Sequence, residues 1–237
     1  MSRPQTTSPV IVALDFPSEQ ETIQLVERLD PSLCRLKVGK ELFTRCGPAL
    51  VKQLVDKDFD VFLDLKYHDI PNTVARACEA AADLGVWMLN VHALGGEKMM
   101  SAAREAVSRN GTEAPLLIAV TWLTSSGQAE LDARGLNTTP QQMVSRLAGM
   151  TQNAGLAGVV CSAQEAPMLR EQMGEDFLLV TPGIRLADAE KDDQCRVVTP
   201  EKAMQDGSSY LVIGRPITQA DDPCQVLQRI NNDLANI

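Results

Sequence analysis

Short apolar runs alternate with longer amphipathic stretches from Pro9 to the end of the chain. The runs are Val10–Leu14, Arg35–Val38, Val61–Leu65, Trp87–Val91, Leu116–Thr121, Gly158–Cys161, Leu178–Thr181 and Tyr210–Ile213. Strands buried on both faces of a parallel sheet read this way, because neither face meets water. The stretches between them have helical length. Ser18-Glu19-Gln20-Glu21 has the spacing of a capping box and opens a helix running toward Asp30. Lys40 to Val55 is the next, and Gly47-Pro48 must bend or restart it. Pro71 suits a first helical turn and leads an alanine-rich stretch to Leu84. Gly96–Ser108, Pro140–Asn153, Ala163–Met173, Thr199–Asp206 and Pro223–Ala235 complete the set.

Eight strand-then-helix units in 237 residues predict an α/β fold of one domain, a closed (β/α)8 TIM barrel spanning residues 9–237. An open doubly wound sheet is the alternative. The lack of a GxGxxG after the first strand counts against a dinucleotide-binding version of it. Met1 to Ser8 is polar, contains Pro4 and reads as a loose, flexible N-terminal tail (residues 1–8). Two connections, Ser125–Thr139 and Pro182–Val198, are long enough to serve as lids.

Composition narrows the partners. A formal charge of −9 argues against nucleic acid or an anionic membrane as partner. Any phosphorylated ligand must therefore meet locally concentrated basic groups. No apolar run approaches the roughly 18 residues of a membrane span. The N-terminus lacks the basic region and apolar core of a signal peptide. The six cysteines, at 34, 46, 78, 161, 195 and 224, form no CxxC pair, so reduced, mostly buried thiols in the cytoplasm are expected.

Candidate chemistry lies where the apolar runs stop. In a (β/α)8 barrel the active site forms at the C-terminal ends of the strands. Here those ends carry Asp15, Lys37, Asp64 with Lys66, His92, Thr121 to Thr124, Ser162, Thr181 to Arg185, and Gly214-Arg215. The densest cluster is Asp64-Leu65-Lys66-Tyr67-His68-Asp69. Strand alternation points Asp64 and Lys66 the same way. A lysine among carboxylates stays protonated, which suits a proton donor and not a Schiff-base nucleophile. A structural ion pair, with Asp69 as a helix N-cap, is the bland alternative. Lys37 at a neighbouring strand end tips the balance toward a site. Thr181-Pro182-Gly183-Ile184-Arg185 and Ile213-Gly214-Arg215-Pro216 end the last two strands, where this fold commonly binds phosphate. Two histidines without paired spacing do not suggest zinc. Asp64 with Asp69 could hold Mg²⁺, but Lys66 between them competes for that charge, so no metal is expected.

Five blocks then carry a resemblance: Val12-Ala13-Leu14-Asp15, Leu36-Lys37-Val38-Gly39, Phe62 to Thr73, Val180 to Arg185, and Val212 to Pro216. Together they resemble the orotidine 5′-phosphate decarboxylase family in its bacterial form, and the run Asp64 to Thr73, DLKYHDIPNT, is the most specific of them. The resemblance implies a cofactor-free enzyme that converts orotidine 5′-phosphate to uridine 5′-phosphate, the last step of UMP biosynthesis. It implies Lys66 as proton donor within an alternating network of Lys37, Asp64, Lys66 and Asp69. It implies that Asp15 and Lys37 bind ribose hydroxyls and that Thr124 meets the pyrimidine. Gln194, Gly214 and Arg215 would hold the phosphate, with Arg185 in the same closing region. Asp69 and Thr73 would reach into a partner's site, which implies a homodimer.

The chemistry makes sense of these residues. Loss of CO2 from C6 of orotate leaves an electron pair in the ring plane that the π-system cannot delocalise, so the protein must stabilise it electrostatically. Two rivals stay open. One is a Mg²⁺-dependent keto-sugar-phosphate decarboxylase or lyase with a similar Asp-x-Lys element. The other is a non-catalytic barrel that binds a nucleotide phosphate.

Overall fold

The computed structural model describes residues 6–186 and 198–237. Eight strands close into a parallel barrel in strict sequence order. They are β1 (Val10–Leu14), β2 (Arg35–Gly39), β3 (Val61–Tyr67), β4 (Met88–His92), β5 (Leu116–Val120), β6 (Gly158–Val160), β7 (Leu178–Pro182) and β8 (Tyr210–Ile213). The barrel shuts where Val10, Ile11 and Val12 of β1 lie opposite Leu211, Val212 and Ile213 of β8. The open-sheet alternative is thereby excluded.

The helices form the outer ring: α1 (Glu19–Val26), α2 (Lys40–Asp56), α3 (Pro71–Ala82), α4 (Glu97–Ser108), α5 (Gln128–Asp132), α6 (Pro140–Asn153), α7 (Ala166–Met173), α8 (Pro200–Gln205), α9 (Arg215–Thr218) and α10 (Pro223–Leu234). Four of them, α1, α6, α8 and α10, start at side-chain caps. Ser18 accepts from the Glu21 N–H, Thr139 from Gln142 and Asp222 from Gln225, each satisfying a donor that the first helical turn leaves orphaned. Gly47 breaks α2 as expected, with φ 69° and ψ −166°, a backbone state that favours glycine.

Alternation along the strands sorts the core into two bodies. Outward side chains such as Leu36, Leu63, Leu89 and Val91 pack beneath the helices. Inward ones, Ile11, Ala13, Phe62, Met88, Ile118, Val180 and Val212, plug the barrel. Below the plug, Arg35 pairs with Asp60 at 3.3 Å. Its guanidinium stacks 4.5 Å from the centroid of Trp87 and 5.1 Å from that of Tyr210.

Several boundaries differ from the expectations. The flexible tail expected over residues 1–8 does not reach Ser8. Thr6 and Ser8 are buried, and Arg35 donates to the Thr6 carbonyl at 2.6 Å and to that of Ser8. A buried guanidinium needs acceptors, and this segment supplies them. α1 stops at Val26, short of Asp30, and α7 begins at Ala166, later than Ala163. The connection Ser125–Thr139 holds α5, too short to show helical periodicity. β3 runs on to Tyr67, two residues past its apolar run. Of the long connection Pro182–Val198, only the ends are described. There Arg185 N–H donates to the Val198 carbonyl at 3.1 Å. The cysteines at 34, 46, 78, 161 and 224 are free thiols, three of them buried. Among the described residues, no helix is long and apolar enough to cross a membrane.

Candidate active site

The C-terminal ends of β1, β2 and β3 bring a row of alternating charges together. Asp15 follows β1 and stays largely open, its side chain 71% exposed. Lys37 lies inside β2, is buried, and donates to Asp15 Oδ1 at 3.1 Å. Its Nζ also lies 3.6 Å from Asp64 Oδ2. Asp64 in turn accepts from Lys66 Nζ at 2.5 Å through Oδ1. The order is therefore Asp15, Lys37, Asp64, Lys66. Burial pushes the Asp64 carboxyl up. The charges of Lys37 and Lys66, with hydrogen bonds from Lys66 and Asn90, outweigh that and hold it below the usual carboxylate range.

The strand that carries Asp64 and Lys66 is irregular. β3 advances from Leu63 to Tyr67 while β4 advances only from Leu89 to Val91. Lys66 takes up the excess in a left-handed conformation with φ 52°. For a non-glycine residue that costs about 1–2 kcal/mol, and strain of this kind gathers at functional sites. Asn90, fully buried on β4, fills the gap. Its carbonyl accepts from the Lys66 backbone N–H at 2.7 Å, and its amide donates to Asp64 Oδ1 at 2.7 Å. Sequence reasoning passed over Asn90. The one available signal was a lone amide within an otherwise apolar run.

These groups edge a cleft of about 510 Å³ that includes open solvent at its mouth. Its floor is apolar, made by Phe62, Val120, Val160 and Val212, and its walls include Trp122, Leu123, Thr124 and Pro182. A flat, largely apolar ring fits such a floor, with the polar row along one side. Arg134 stacks over Trp122 at 5.0 Å and braces that wall. His92 stands beside the cleft, stacked on His68 with centroids 5.5 Å apart. Burial, together with the charges of His68, Lys40, Lys66 and Arg134, pushes His92 down to about 4. It is neutral at pH 7, and its Nδ1 accepts from the Leu94 N–H at 3.4 Å.

The remaining expected residues fall into three groups. Gly214 sits beyond β8 as the N-cap of α9, and Arg215 begins that helix with an exposed side chain. Arg185 follows the positive-φ Gly183 at the end of β7. The two arginines thus stand after neighbouring strands, which suits a shared anion. Gln194 lies outside the described residues. Asp69 and Thr73 are exposed at the start of α3, and among the described residues Asp69 does not join its own chain's row of charges. It accepts from the Ile70 N–H at 2.6 Å, and Ile70, not Asp69, occupies the N-cap position of α3. Among the described residues, no three His, Cys, Asp or Glu side chains are grouped as metal ligands.

Comparison with known proteins agrees with this geometry. The family model described as Orotidine 5'-phosphate decarboxylase / HUMPS family matches residues 8–230. Orotidine 5'-phosphate decarboxylase of Nitrosococcus oceani is 60% identical over 230 residues, covering 97% of this chain and 99% of the relative. That of Neisseria meningitidis serogroup A is 57% identical over 235 residues, covering 99% and 95%. The crystal structure of orotidine 5'-phosphate decarboxylase from Lactobacillus acidophilus superposes with a TM-score of 0.86 at 39% identity, covering 96% of this chain and 99% of that one. A family match over nearly the whole barrel, relatives of similar length at such identity, and a charged row at the strand ends agree: the chain belongs to the orotidine 5'-phosphate decarboxylase / HUMPS family.

Proposed function

We propose that this chain decarboxylates orotidine 5′-phosphate to uridine 5′-phosphate and CO2, without a cofactor, as a cytoplasmic homodimer. The observation that carries the reading is the row Asp15–Lys37–Asp64–Lys66 along a cleft with an apolar floor. The pyrimidine lies over that floor with Thr124 at its edge. Asp15 and Lys37 take the ribose hydroxyls. Arg215, the Gly214 backbone and Gln194 take the phosphate, and Arg185 belongs to the same closing region.

The chemistry follows from charge placement. As the C6–CO2 bond breaks, its electron pair stays on C6 in the ring plane. The Lys66 ammonium faces that developing charge in a cleft that excludes much of the water, where electrostatic stabilisation is strong. It then delivers a proton to C6, giving the product. Asp64 stands beside the departing carboxylate. Repulsion there raises the energy of the bound substrate, but carbanion stabilisation is the larger contribution, because destabilisation cannot exceed the binding energy that offsets it. The phosphate is remote from C6, yet its binding energy can still be used at the reacting centre.

Asp69 and Thr73 support the dimer. Both are exposed, and their neighbour Ile70 is 66% exposed. A large exposed apolar side chain beside a carboxylate that joins no ion pair of its own chain's charged row is what an interface that lends Asp69 to the partner's row requires. The test is loss of the orotate absorbance on incubation with orotidine 5′-phosphate, run with and without chelator. Turnover that survives the chelator supports the reading. Activity abolished by chelator and restored by Mg²⁺ would favour a metal-dependent sugar-phosphate reaction instead. No turnover in either condition would reject the proposal.

A further inference from the structure

We propose that Asn90 is a positioning residue that holds Lys66 and Asp64 in their working arrangement. The inference rests on the reading of Lys66 and Asp64 given above. Three observations lead to it. First, β3 carries extra residues opposite β4, and Asn90 is the residue of β4 that faces the interval between the matched pairs Leu63↔Leu89 and Tyr67↔Val91. The Lys66 N–H therefore has no regular strand partner there, and the Asn90 carbonyl receives it at 2.7 Å. Second, the other end of the same amide donates to Asp64 Oδ1 at 2.7 Å, the very oxygen that receives Lys66 Nζ. Third, Asn90 is fully buried, so water cannot take over either bond.

The orientation of the amide is fixed by chemistry. A backbone N–H can only donate and an ionised carboxylate can only accept, so carbonyl and amino ends have one arrangement that satisfies both. A single planar group thus sets the backbone of the lysine and the side chain of the aspartate at once. The left-handed φ of 52° at Lys66 is an unfavourable state that needs an external hold. Without it the Lys66 backbone is free to leave that state, and its ammonium loses its fixed place beside Asp64. Asp64 at the same time loses the donor that fixes its Oδ1. Aspartate or glutamine could not replace this pattern: the first lacks the amino donor, and the second carries an extra methylene in a filled interior.

The experiment compares the full-length enzyme with Asn90→Ala and Asn90→Asp. Turnover of orotidine 5′-phosphate, the Kd of uridine 5′-phosphate and amide hydrogen exchange at Lys66 are measured on each folded protein. In Asn90→Ala, kcat should fall about 10²-fold, the scale on which a misplaced catalytic group loses rate. The Kd of the product should stay within about 3-fold, because ribose and phosphate contacts are intact. Protection of the Lys66 amide should vanish. Asn90→Asp keeps the acceptor for the Lys66 N–H but not the donor to Asp64, so protection should persist while kcat still falls. It also serves as the readable variant should Asn90→Ala not fold. Unchanged kcat in either folded variant, or product affinity falling in step with kcat, would overturn the proposal. So would unaltered exchange in Asn90→Ala. A wild-type protein with no turnover would sink the decarboxylase reading alone, since the exchange experiment would still decide whether Asn90 holds Lys66.

Discussion

Lys66→Ala separates catalysis from folding, and the structure sets both magnitudes. The substitution removes a positive charge that faces C6 at roughly 4 Å in the proposed mechanism, worth about 4 kcal/mol at an effective dielectric of about 20. At about 1.4 kcal/mol per tenfold, that is on the order of 10³ in rate. Loss of the proton donor adds on the order of 10²–10⁴. Together kcat/KM should fall by about 10⁵-fold or more. The fold should be nearly indifferent. Asp64 keeps Lys37 at 3.6 Å and the Asn90 amide at 2.7 Å, so its charge is not abandoned in the interior. The cost therefore stays below the about 3–5 kcal/mol of stripping a buried charge of its partner. A domain of this size loses roughly 2–4 °C in Tm per kcal/mol, so a cost below about 3 kcal/mol lowers Tm by less than about 12 °C. The assay is orotidine 5′-phosphate turnover at high enzyme concentration, paired with a thermal melt. A folded Lys66→Ala enzyme that keeps more than about a hundredth of wild-type kcat/KM would refute the assignment, since no remaining group could supply both effects.

Three further outcomes are expected. Arg215→Ala should weaken substrate binding and lower kcat/KM by about 10²-fold or more, as loss of a charge-assisted phosphate contact does; an unchanged kcat/KM would remove Arg215 from the phosphate site. Asp69→Ala and Lys66→Ala should each be inactive, but mixing and re-equilibrating them should restore up to about a quarter of wild-type activity, because half of a hybrid dimer's sites are intact. No recovery on mixing would mean that Asp69 does not serve the partner. His92→Gln should flatten the loss of stability on acidification. His92 sits at about 4, well below its ordinary value of 6.5, so only the unfolded chain takes up that proton as pH falls from about 6.5 to 4, and folding weakens through that window. Parallel Tm-against-pH curves for wild type and variant would contradict this.

The barrel was legible because eight buried strands leave eight apolar runs, and because charges recur where those runs stop. Asp15, Lys37, Asp64 and Lys66 were legible as strand-end charges for the same reason, although the expected network ran through Asp69 and left out Asp15. Other features were written in contacts between distant residues. The left-handed backbone of Lys66 arises from a mismatch between β3 and β4, which no local pattern at 64–67 encodes. Asn90 looked like an ordinary strand residue, since its role depends on a backbone N–H in another strand. Thr6 to Ser8 read as a tail because their holder, Arg35, lies 27 or more residues away. The proposed role of Asp69 and Thr73 needs a second molecule, and one chain displays only their exposure.

The apolar plug inside the barrel has a bearing on where hydrogen enters. Phe62, Met88, Ile118 and Val180 pack together as buried apolar side chains between the Arg35 end of the barrel and the cleft. On the proposed mechanism, the hydrogen passed to C6 then arrives from the cleft side, by the way the nucleotide enters. In heavy water, the isotope found at C6 of the product would record the solvent last in exchange with the lysine on that side.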